Sequence, residues 1–298
     1  MSRTERIVVI GGSGMLGSAL RRSLADRGLA CVAPPRAEID LMRTVPPDGR
    51  LAELRPSAVI NASAFTDVAG AELEDHAEAV RRLNRDAPGE LAGACRRLGV
   101  PFIHVSTDYV FDGRKTEPYL ESDPVSPLQV YGRSKLEGEL RVFEAWDKAL
   151  VARTSTLYGP GPRRRLHYVD AILRQARSSS SLSVVRLPVS SPTHAPDLAR
   201  GLIELLEAGA RGLVNVVNDG GCSRLELARE SVRLAGLGDS VDVGTKPEPP
   251  ASLARPAYSV LDTSRFNELT GRSMRPWQEA LAEYVGGAQE ADSEPVST

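Results

Sequence analysis

Short apolar runs alternate with longer amphipathic stretches through the first half of the chain. The runs have the length and the β-branched content of buried strands, whereas the stretches between them repeat apolar residues at helical spacing. Strands are predicted over residues 7–10, 30–33, 58–60, 101–105 and 149–153, and helices over 16–27 and within 72–98. This alternation predicts an α/β fold with a doubly wound parallel sheet, in which ligands bind at the carboxyl ends of the strands.

A glycine-rich turn joins the first predicted strand to the first predicted helix. Its glycines permit a tight turn, a close approach of backbone to a pyrophosphate, and close packing of helix on strand. The helix that begins here points its free amides at the anion. An ordinary glycine-rich turn is the alternative, but the position between strand and helix favours a Rossmann-type dinucleotide site. The candidate cofactor-binding residues of this turn are Gly11, Ser13, Gly14, Met15, Leu16 and Gly17.

The pattern changes after residue 155, where glycine, proline and serine accumulate at 158–162, 190–193 and 246–250. Such stretches are typical of loops. Helices near 196–208 and 223–234 and a strand over 214–217 are predicted to build this part and return to the sheet. We predict a dinucleotide-binding domain of residues 1–155 plus about 195–220, a smaller C-terminal substrate lobe of 156–194 and 221–285, and a disordered tail over 286–298.

Residues after the second and third strands predict how a cofactor is held. The second strand is followed by Arg36 and lacks the acidic residue that grips both hydroxyls of an NAD ribose. A guanidinium suits a 2′-phosphate, so NADPH is favoured, with NADH possible; a solvated surface arginine is the alternative. Asp40 and Leu41 are expected near the adenine edge. Small residues after the third strand permit a close approach to the cofactor, or simply tight packing: Ala62, Ser63 and Ala64.

The stretch from residue 104 to 135 carries the candidate catalytic residues. Tyr131 and Lys135 lie four residues apart, a spacing that puts them on one face of a helix. A nearby ammonium lowers the pKa of a phenol and makes it useful for acid–base chemistry, although a surface pair is the ordinary alternative. Thr107, at the end of an apolar strand, supplies a hydroxyl at the same edge of the sheet. His104 lies within that strand and is predicted to be a packed core residue.

Composition narrows the possible classes of function. The 298 residues carry a formal net charge of −2, with a pI near 6.2, so no general attraction to nucleic acid is expected. No apolar run is long enough to span a membrane, and the first residues lack a signal-peptide pattern, so a cytoplasmic protein is predicted. Cys31, Cys95 and Cys222 are scattered and are expected to be reduced, with no metal site. Three arginines at 163–165 form either a solvated face or part of a diphosphate site.

Taken in order, the motifs of this chain resemble those of the extended short-chain dehydrogenase/reductases, and among them the dTDP-4-dehydrorhamnose reductase family. The resemblance covers about residues 5–285 and is far more specific than any single motif. The motifs that carry it are Gly11-x-x-Gly14-x-x-Gly17, Asp40-Leu41, Asn61-Ala-Ser-Ala64, Ser106-Thr-Asp-Tyr-Val-Phe111, Tyr131-x-x-x-Lys135, Arg153-Thr-Ser155 and Arg255-Pro-x-x-Ser-x-Leu-Asp262.

The resemblance implies an NADPH-dependent reductase that acts on the 4-keto group of a dTDP-4-keto-6-deoxy sugar. It implies that Tyr131 gives a proton to the keto oxygen, that Lys135 tunes Tyr131 and holds the nicotinamide ribose, and that Thr107 hydrogen-bonds the carbonyl. Hydride comes from the nicotinamide, because no protein side chain can supply it. The implied substrate-binding residues are Thr107, Asp108, Tyr109, Thr156 and Arg255.

Departures from the family pattern concern the sugar and the oligomer. Thr156 stands where these reductases usually carry tryptophan, residues 68–72 differ from the usual acidic loop, and Leu187-Pro188 replaces the usual Asp-Gln. The identity of the sugar therefore stays open. Ala19 replaces a glutamate through which some relatives bridge a metal, so a homodimer, if formed, is predicted not to be linked by magnesium.

Other functions within and outside this superfamily compete with the reductase. A 4,6-dehydratase is disfavoured because Tyr109 stands where those enzymes carry a glutamate. An epimerase stays possible because it shares the tyrosine and lysine. A regulatory subunit resembling the β subunit of methionine adenosyltransferase is a further alternative, weakened by the retained Tyr131 and Lys135.

Overall fold

The computed structural model describes residues 6–43, 48–161, 167–248 and 255–293. Its strands are β1 (Arg6–Ile10), β2 (Ala30–Val32), β3 (Pro56–Asn61), β4 (Phe102–Thr107), β5 (Leu150–Thr154), β6 (Leu157–Tyr158), β7 (Ser181–Val184), β8 (Val189–Ser190), β9 (Thr193–His194), β10 (Gly212–Asn215), β11 (Cys222–Ser223) and β12 (Asp242–Thr245). Its helices are α1 (Met15–Asp26), α2 (Asp48–Leu54), α3 (Ala77–Arg81), α4 (Ala87–Leu98), α5 (Val130–Ala145), α6 (Tyr168–Ala176), α7 (Ala195–Glu207), α8 (Arg224–Leu234), α9 (Ser264–Thr270) and α10 (Trp277–Ser293).

The main sheet has six parallel strands in the order β2-β1-β3-β4-β5-β10. The predicted α/β class and doubly wound parallel sheet are therefore confirmed. The chain turns to one side of β1 for β2 and then to the other side for β3, which opens a crevice beyond the carboxyl ends of β1 and β3. Open parallel sheets bind ligands at such a reversal of strand order.

Helices cover both faces of this sheet and bury its apolar residues. On one face α1 packs against α7, with Leu20 and Leu202 fully buried between them and the strands. On the other face α4 packs against α5, where Leu91 and Val142 are fully buried. Both faces of the parallel strands are therefore removed from water, which explains their continuous apolar runs.

The predicted helical stretch 72–98 is divided in the structure. Between α3 and α4 lies a π-helical segment, Arg82–Asp86, which contains the buried Asn84. The Asn84 amide accepts a hydrogen bond from Phe65 N at 2.8 Å and donates to Phe65 O at 3.1 Å. A Cβ on Gly138 of α5 would lie 2.0 Å from Asn84 O. The irregular turn therefore serves close helix packing, which helical periodicity alone does not predict.

The second half of the chain adds three two-stranded sheets, β12-β7, β11-β8 and β6-β9, beside the main sheet. In contrast, β10 pairs with β5 of the main sheet in parallel register. The domain boundaries proposed from the sequence stay a prediction. The triple arginine at 163–165 lies outside the described residues.

Residues 286–293, at the start of the predicted disordered tail over 286–298, continue α10 in the structure, and the disorder of the tail stays a prediction. The first turns of this helix bury Trp277, Leu281 and Val285 in the core of the second lobe. Once the first turns of a helix are held in place, each added residue contributes one more backbone hydrogen bond. The polar residues that follow the buried turns can therefore stay helical. Residues 294–298 lie outside the described part. None of the helices within the described ranges is long and apolar enough to cross a membrane.

Candidate active site

The glycine turn after β1 forms the first wall of the crevice. Gly11 has a φ of +81°, which favours glycine, and a Cβ there would lie 2.8 Å from Ser63 N. A Cβ on Gly17 would lie 2.2 Å from Gly11 O, so α1 could not approach the turn with a larger residue. Ser13 and Gly14 are exposed just before α1 begins at Met15. The turn thus presents bare backbone and a helix amino terminus, a combination that suits a pyrophosphate.

Arg36 lies after β2 and its side chain is 76% exposed. Its Nε donates to Asp40 Oδ1 at 3.2 Å. Asp40 also accepts from Met42 N at 3.0 Å, and this backbone hydrogen bond, together with Arg36, lowers the pKa of Asp40. Leu41 is buried beside them. Among the described residues Arg36 is paired only through its Nε, with Asp40, and its contact with a 2′-phosphate stays a prediction.

Ala62, Ser63 and Ala64 are half-buried beyond β3, against the glycine turn. Asn61, at the end of β3, is fully buried. Its Oδ1 accepts hydrogen bonds from Ser63 N at 3.1 Å and from Ser63 Oγ at 2.6 Å. These bonds fix the orientation of the Asn61 amide, because a backbone N–H can only donate.

Thr107 and Asp108 end β4 in a buried cluster of hydroxyls around one carboxyl group. The Asp108 carboxyl is 1% exposed and accepts from Thr107 Oγ1 at 3.1 Å, from Ser155 Oγ at 2.7 Å and from Ser259 Oγ at 2.6 Å. Burial raises the pKa of Asp108 to about 6, although these hydrogen bonds oppose the rise. The Asp108 side chain therefore positions Thr107, and its contact with substrate stays a prediction.

Tyr131 lies in the first turn of α5, and its ring meets Tyr109 edge to face at 5.7 Å between centroids. Burial raises the pKa of Tyr131, Asp108 raises it further, and a hydrogen bond with Thr107 opposes the rise. The structure thus brings Thr107, Tyr109 and Tyr131 together as predicted. A phenol with a raised pKa stays protonated at neutral pH, so Tyr131 is available as a proton donor and not as a preformed base, although burial by itself makes it a weaker acid.

Lys135 does not act on Tyr131 in the way that the sequence predicted. The ammonium group is buried, with Nζ 2.6 Å from the Val105 carbonyl oxygen and 3.2 Å from His104 Nε2. The expected lowering of the Tyr131 pKa is therefore wrong. Burial also lowers the pKa of Lys135 itself, to about 8, although Glu139 opposes this shift. A lysine that titrates near neutral pH is a poor source of fixed positive charge.

Two cations flank Tyr109, and sequence reasoning found only one of them. Burial raises the pKa of Tyr109, and the half-buried Arg255 lies close enough to oppose that rise. Arg224, which was missed, hydrogen-bonds Tyr109 and lies over the Tyr168 ring at 4.7 Å. The sequence does contain a pattern that locates Arg224. Ser223-x-x-Glu226 is a capping box, which places Arg224 in the first turn of α8.

Thr156 lies between the main sheet and the second lobe. Its Oγ1 is 2.8 Å from Ser190 Oγ, and its carbonyl accepts from Thr193 N at 3.0 Å. The hydroxyl therefore has a partner at the end of β8. Whether it also faces substrate stays a prediction.

A glycine turn on a parallel sheet, with Thr107 and the Tyr131-x-x-x-Lys135 helix at the same edge, defines the short-chain dehydrogenase/reductase class of dinucleotide-dependent enzymes. Within that class, the chain belongs to the family described as the RmlD substrate binding domain, which matches residues 5–289.

The chain is 37% identical to dTDP-4-dehydrorhamnose reductase of Mycobacterium tuberculosis, over 94% of this chain and 92% of the relative. It is 32% identical to dTDP-4-keto-6-deoxy-D-glucose reductase of Streptomyces niveus, over 94% and 96%. Among solved structures, dTDP-4-dehydrorhamnose reductase of Bacillus anthracis in complex with NADP is similar, with a TM-score of 0.86, 28% identity and coverage of 95% of this chain and 99% of that one.

Proposed function

We propose that this protein catalyses the NADPH-dependent reduction of the 4-keto group of a dTDP-4-keto-6-deoxy sugar, in the cytoplasm. The observation that carries the proposal is the placement of Tyr131 of α5 beside Thr107 at the end of β4, next to the glycine turn that would hold a dinucleotide. The family and the reductase relatives support the reaction and favour it over the epimerase and regulatory-subunit alternatives.

The crevice fits a dinucleotide. The cradle around Gly11 and Gly17 has no room for a Cβ, while Ser13 and Gly14 stay exposed before α1. The glycine turn and the α1 amides would hold the pyrophosphate, Arg36 the 2′-phosphate, and Ala62 to Ala64 the neighbouring part of the cofactor. When bound, NADPH supplies the hydride that the reduction needs.

Tyr131 would supply the proton. Its raised pKa keeps the phenol protonated at neutral pH, and Thr107 orients the hydroxyl. As negative charge develops on the keto oxygen, the Tyr131 hydroxyl donates to it and the proton moves across. Asp108 acts through Thr107, since its carboxyl is enclosed by three hydroxyls.

The nucleotide-sugar diphosphate is best placed beside Tyr109. Arg224 and Arg255 both act on Tyr109 and on each other, and burial lowers the pKa of Arg224. Two guanidinium groups held close together repel, and a diphosphate between them would relieve that repulsion. Tyr109 and Thr156 would then face the sugar.

The proposal is tested by mixing the purified protein with NADPH and a dTDP-4-keto-6-deoxy sugar and following NADPH fluorescence. We expect oxidation of NADPH that requires the sugar and yields a 4-hydroxy product, identified by mass spectrometry. Oxidation should stop in Tyr131→Phe. Conversion of the sugar without consumption of NADPH would point to an epimerase, and binding of NADPH without any conversion would contradict the reductase.

A further inference from the structure

His104 is fully buried in β4 between two polar side chains of the active site. Its Nδ1 lies 3.1 Å from Asn61 Nδ2, and its Nε2 lies 3.2 Å from Lys135 Nζ. The sequence predicted a packed core residue. Its burial is as predicted, but both ring nitrogens have hydrogen-bonding partners, and those partners belong to the crevice.

The neighbours of His104 determine which ring nitrogen carries the proton. Asn61 Oδ1 is occupied by Ser63 N at 3.1 Å and Ser63 Oγ at 2.6 Å, so its Nδ2 must face the ring. An amide nitrogen only donates, so Nδ1 of His104 must accept. A neutral imidazole that accepts at Nδ1 carries its proton on Nε2, the nitrogen that faces Lys135.

We propose that His104 is a positioning residue for Lys135: it is neutral, it carries its proton on Nε2, and it directs that N–H at Lys135 Nζ. A neutral Lys135 amine has a lone pair and can accept this hydrogen bond. A charged ammonium has no lone pair, so its N–H groups would face the His104 N–H as a second donor. The Ser63–Asn61–His104 chain therefore favours the neutral form of Lys135 more than water does for an ordinary lysine. Lys135 can then gain and lose a proton as the site works near neutral pH.

Other groups around Lys135 are compatible with this assignment. Glu139 on the same helix favours the charged amine, but it is bonded to Arg153 of β5 at 3.0 and 2.7 Å. Ser106 Oγ also donates to Glu139, at 2.5 Å. The Val105 carbonyl accepts from Nζ in either charge state. Burial and the nearby Lys135 lower the pKa of His104, in keeping with a neutral ring.

The role of His104 in catalysis rests on the proposed function. The protonation states of His104 and Lys135 do not, because they are measured without substrate or cofactor. The first measurement is the ¹⁵N spectrum of the histidine rings, with the signals of His76, His167 and His194 assigned by their loss in glutamine variants, so that the remaining signals belong to His104. We expect Nε2 protonated and Nδ1 unprotonated from mildly acidic to mildly basic pH. A ring protonated on Nδ1 would overturn the proposal, even if no variant of His104 folds.

The second measurement is the titration of Lys135 in protein labelled with ¹³C-lysine. The chain has only Lys115, Lys135, Lys148 and Lys246, so replacing the other three by arginine, one at a time, assigns the signals. In His104→Leu the opposing N–H is gone, and the Lys135 midpoint should rise by about one pH unit, the size of one hydrogen bond. An unchanged midpoint would mean that His104 only fills space.

His104→Gln is the matched conservative variant. Asn61 Nδ2 would hold the glutamine oxygen and leave the glutamine NH₂ group facing Lys135, so the Lys135 midpoint should stay near that of the parent. A midpoint that rises as far as in His104→Leu would overturn the assignment of His104 as a donor. A failed reductase assay would leave both spectroscopic results intact.

Discussion

Two buried carboxyl groups, Asp108 in the active site and Asp197 at the start of α7, show opposite electrostatic behaviour. They are 1% and 2% exposed. Asp108 is surrounded by hydroxyls, and burial raises its pKa to about 6. Burial would likewise raise the pKa of Asp197, but hydrogen bonds from His194, Arg275 and Asn218 lower it well below its usual range. The pKa values of two equally buried carboxyl groups therefore shift in opposite directions, because Asp197 has cationic partners that stabilise its charged form.

The difference separates a reactive region from a structural one. Arg275 Nε donates to Asp197 at 2.8 Å, Asn218 Nδ2 donates at 2.9 Å, and Arg200 of α7 also donates to it. These contacts tie α7 to the segment that leads into α10. The Asp108 cluster has no such cation among the described residues, so it can hold a proton near neutral pH. Two buried tyrosines allow the same comparison: Tyr131 lies in the reactive region and Tyr158 in the structural region.

The largest expected effect is on turnover in Tyr131→Phe. The change removes only the hydroxyl and leaves the edge-to-face packing on Tyr109. General acid catalysis contributes about 10²- to 10⁴-fold, so turnover should fall by that factor while NADPH affinity and unfolding change little. Single-turnover experiments measure the rate of reduction, and equilibrium binding measures the affinity for NADPH. A variant that keeps more than about a tenth of parental turnover would contradict the role of Tyr131.

Tyr158→Phe is the control from the structural region. Tyr158 is also buried, and its hydroxyl has no hydrogen-bond partner among the described residues. Losing an unsatisfied hydroxyl should leave turnover unchanged and stability unchanged or slightly higher. Equal losses of turnover in both phenylalanine variants would remove the distinction between the regions.

Next in size is the loss of stability expected in Asp197→Asn. The change leaves the Arg275 guanidinium without its buried carboxylate, and breaking one side of a buried ion pair costs about 3–5 kcal/mol. Urea denaturation measures the free energy of unfolding. Glu283→Gln is the matched control, because Glu283 pairs with the same arginine but is 59% exposed, and a surface pair is worth about 1 kcal/mol or less. Equal losses in the two variants would contradict the comparison.

The pH dependence of stability should separate the two carboxyl groups by sign. The folded state holds the Asp108 proton up to about pH 6, whereas an unfolded aspartate loses it near pH 4, so Asp108 costs stability as pH rises through this window. Asp197 does the opposite: its contribution is present above about pH 4 and is lost only as pH falls below that value.

Asp108→Asn should remove the part of this dependence that belongs to Asp108. Between about pH 4 and pH 7, the free energy of unfolding of the variant should gain about 3 kcal/mol relative to the parent, because one pKa unit corresponds to about 1.4 kcal/mol. Asp26→Asn, at an exposed position of α1, controls for the loss of a charge. Parallel stability curves for Asp108→Asn and the parent would mean that folding does not raise the pKa of Asp108.

The smallest effect is expected at the exposed pair of Arg36 and Asp40, which extends the comparison to the surface. Arg36→Ala should weaken NADPH selectively over NADH, by the roughly 1.5–3 kcal/mol of a charge-assisted contact, and barely change stability. Calorimetric titration with both cofactors measures the preference. Arg233→Ala is the control, since Arg233 is an exposed arginine paired with Glu230 on α8. Equal affinity of the parent for both cofactors would reject the role of Arg36.

The order of elements and the position of the site could be predicted from sequence. The strands around 7–10 and 101–105, and the helix that follows the glycine turn, form where their local patterns predict them. Parallel strands bring their carboxyl ends to one edge, so the sequence alone was enough to expect Ser63, Thr107 and Tyr131 together there. Periodicity failed where packing overruled it, at the π-helical turn around Asn84.

What only the tertiary structure decided is the charge state of the site. Spacing along α5 places Lys135 near Tyr131, but the contact of its amine with His104 comes from β4. The carboxyl of Asp108 is enclosed by hydroxyls from residues 47 and 151 positions away along the chain. A pKa depends on burial and on neighbours in space, neither of which a local pattern records. Sequence therefore determined which groups could react, and folding determined which of them hold a proton.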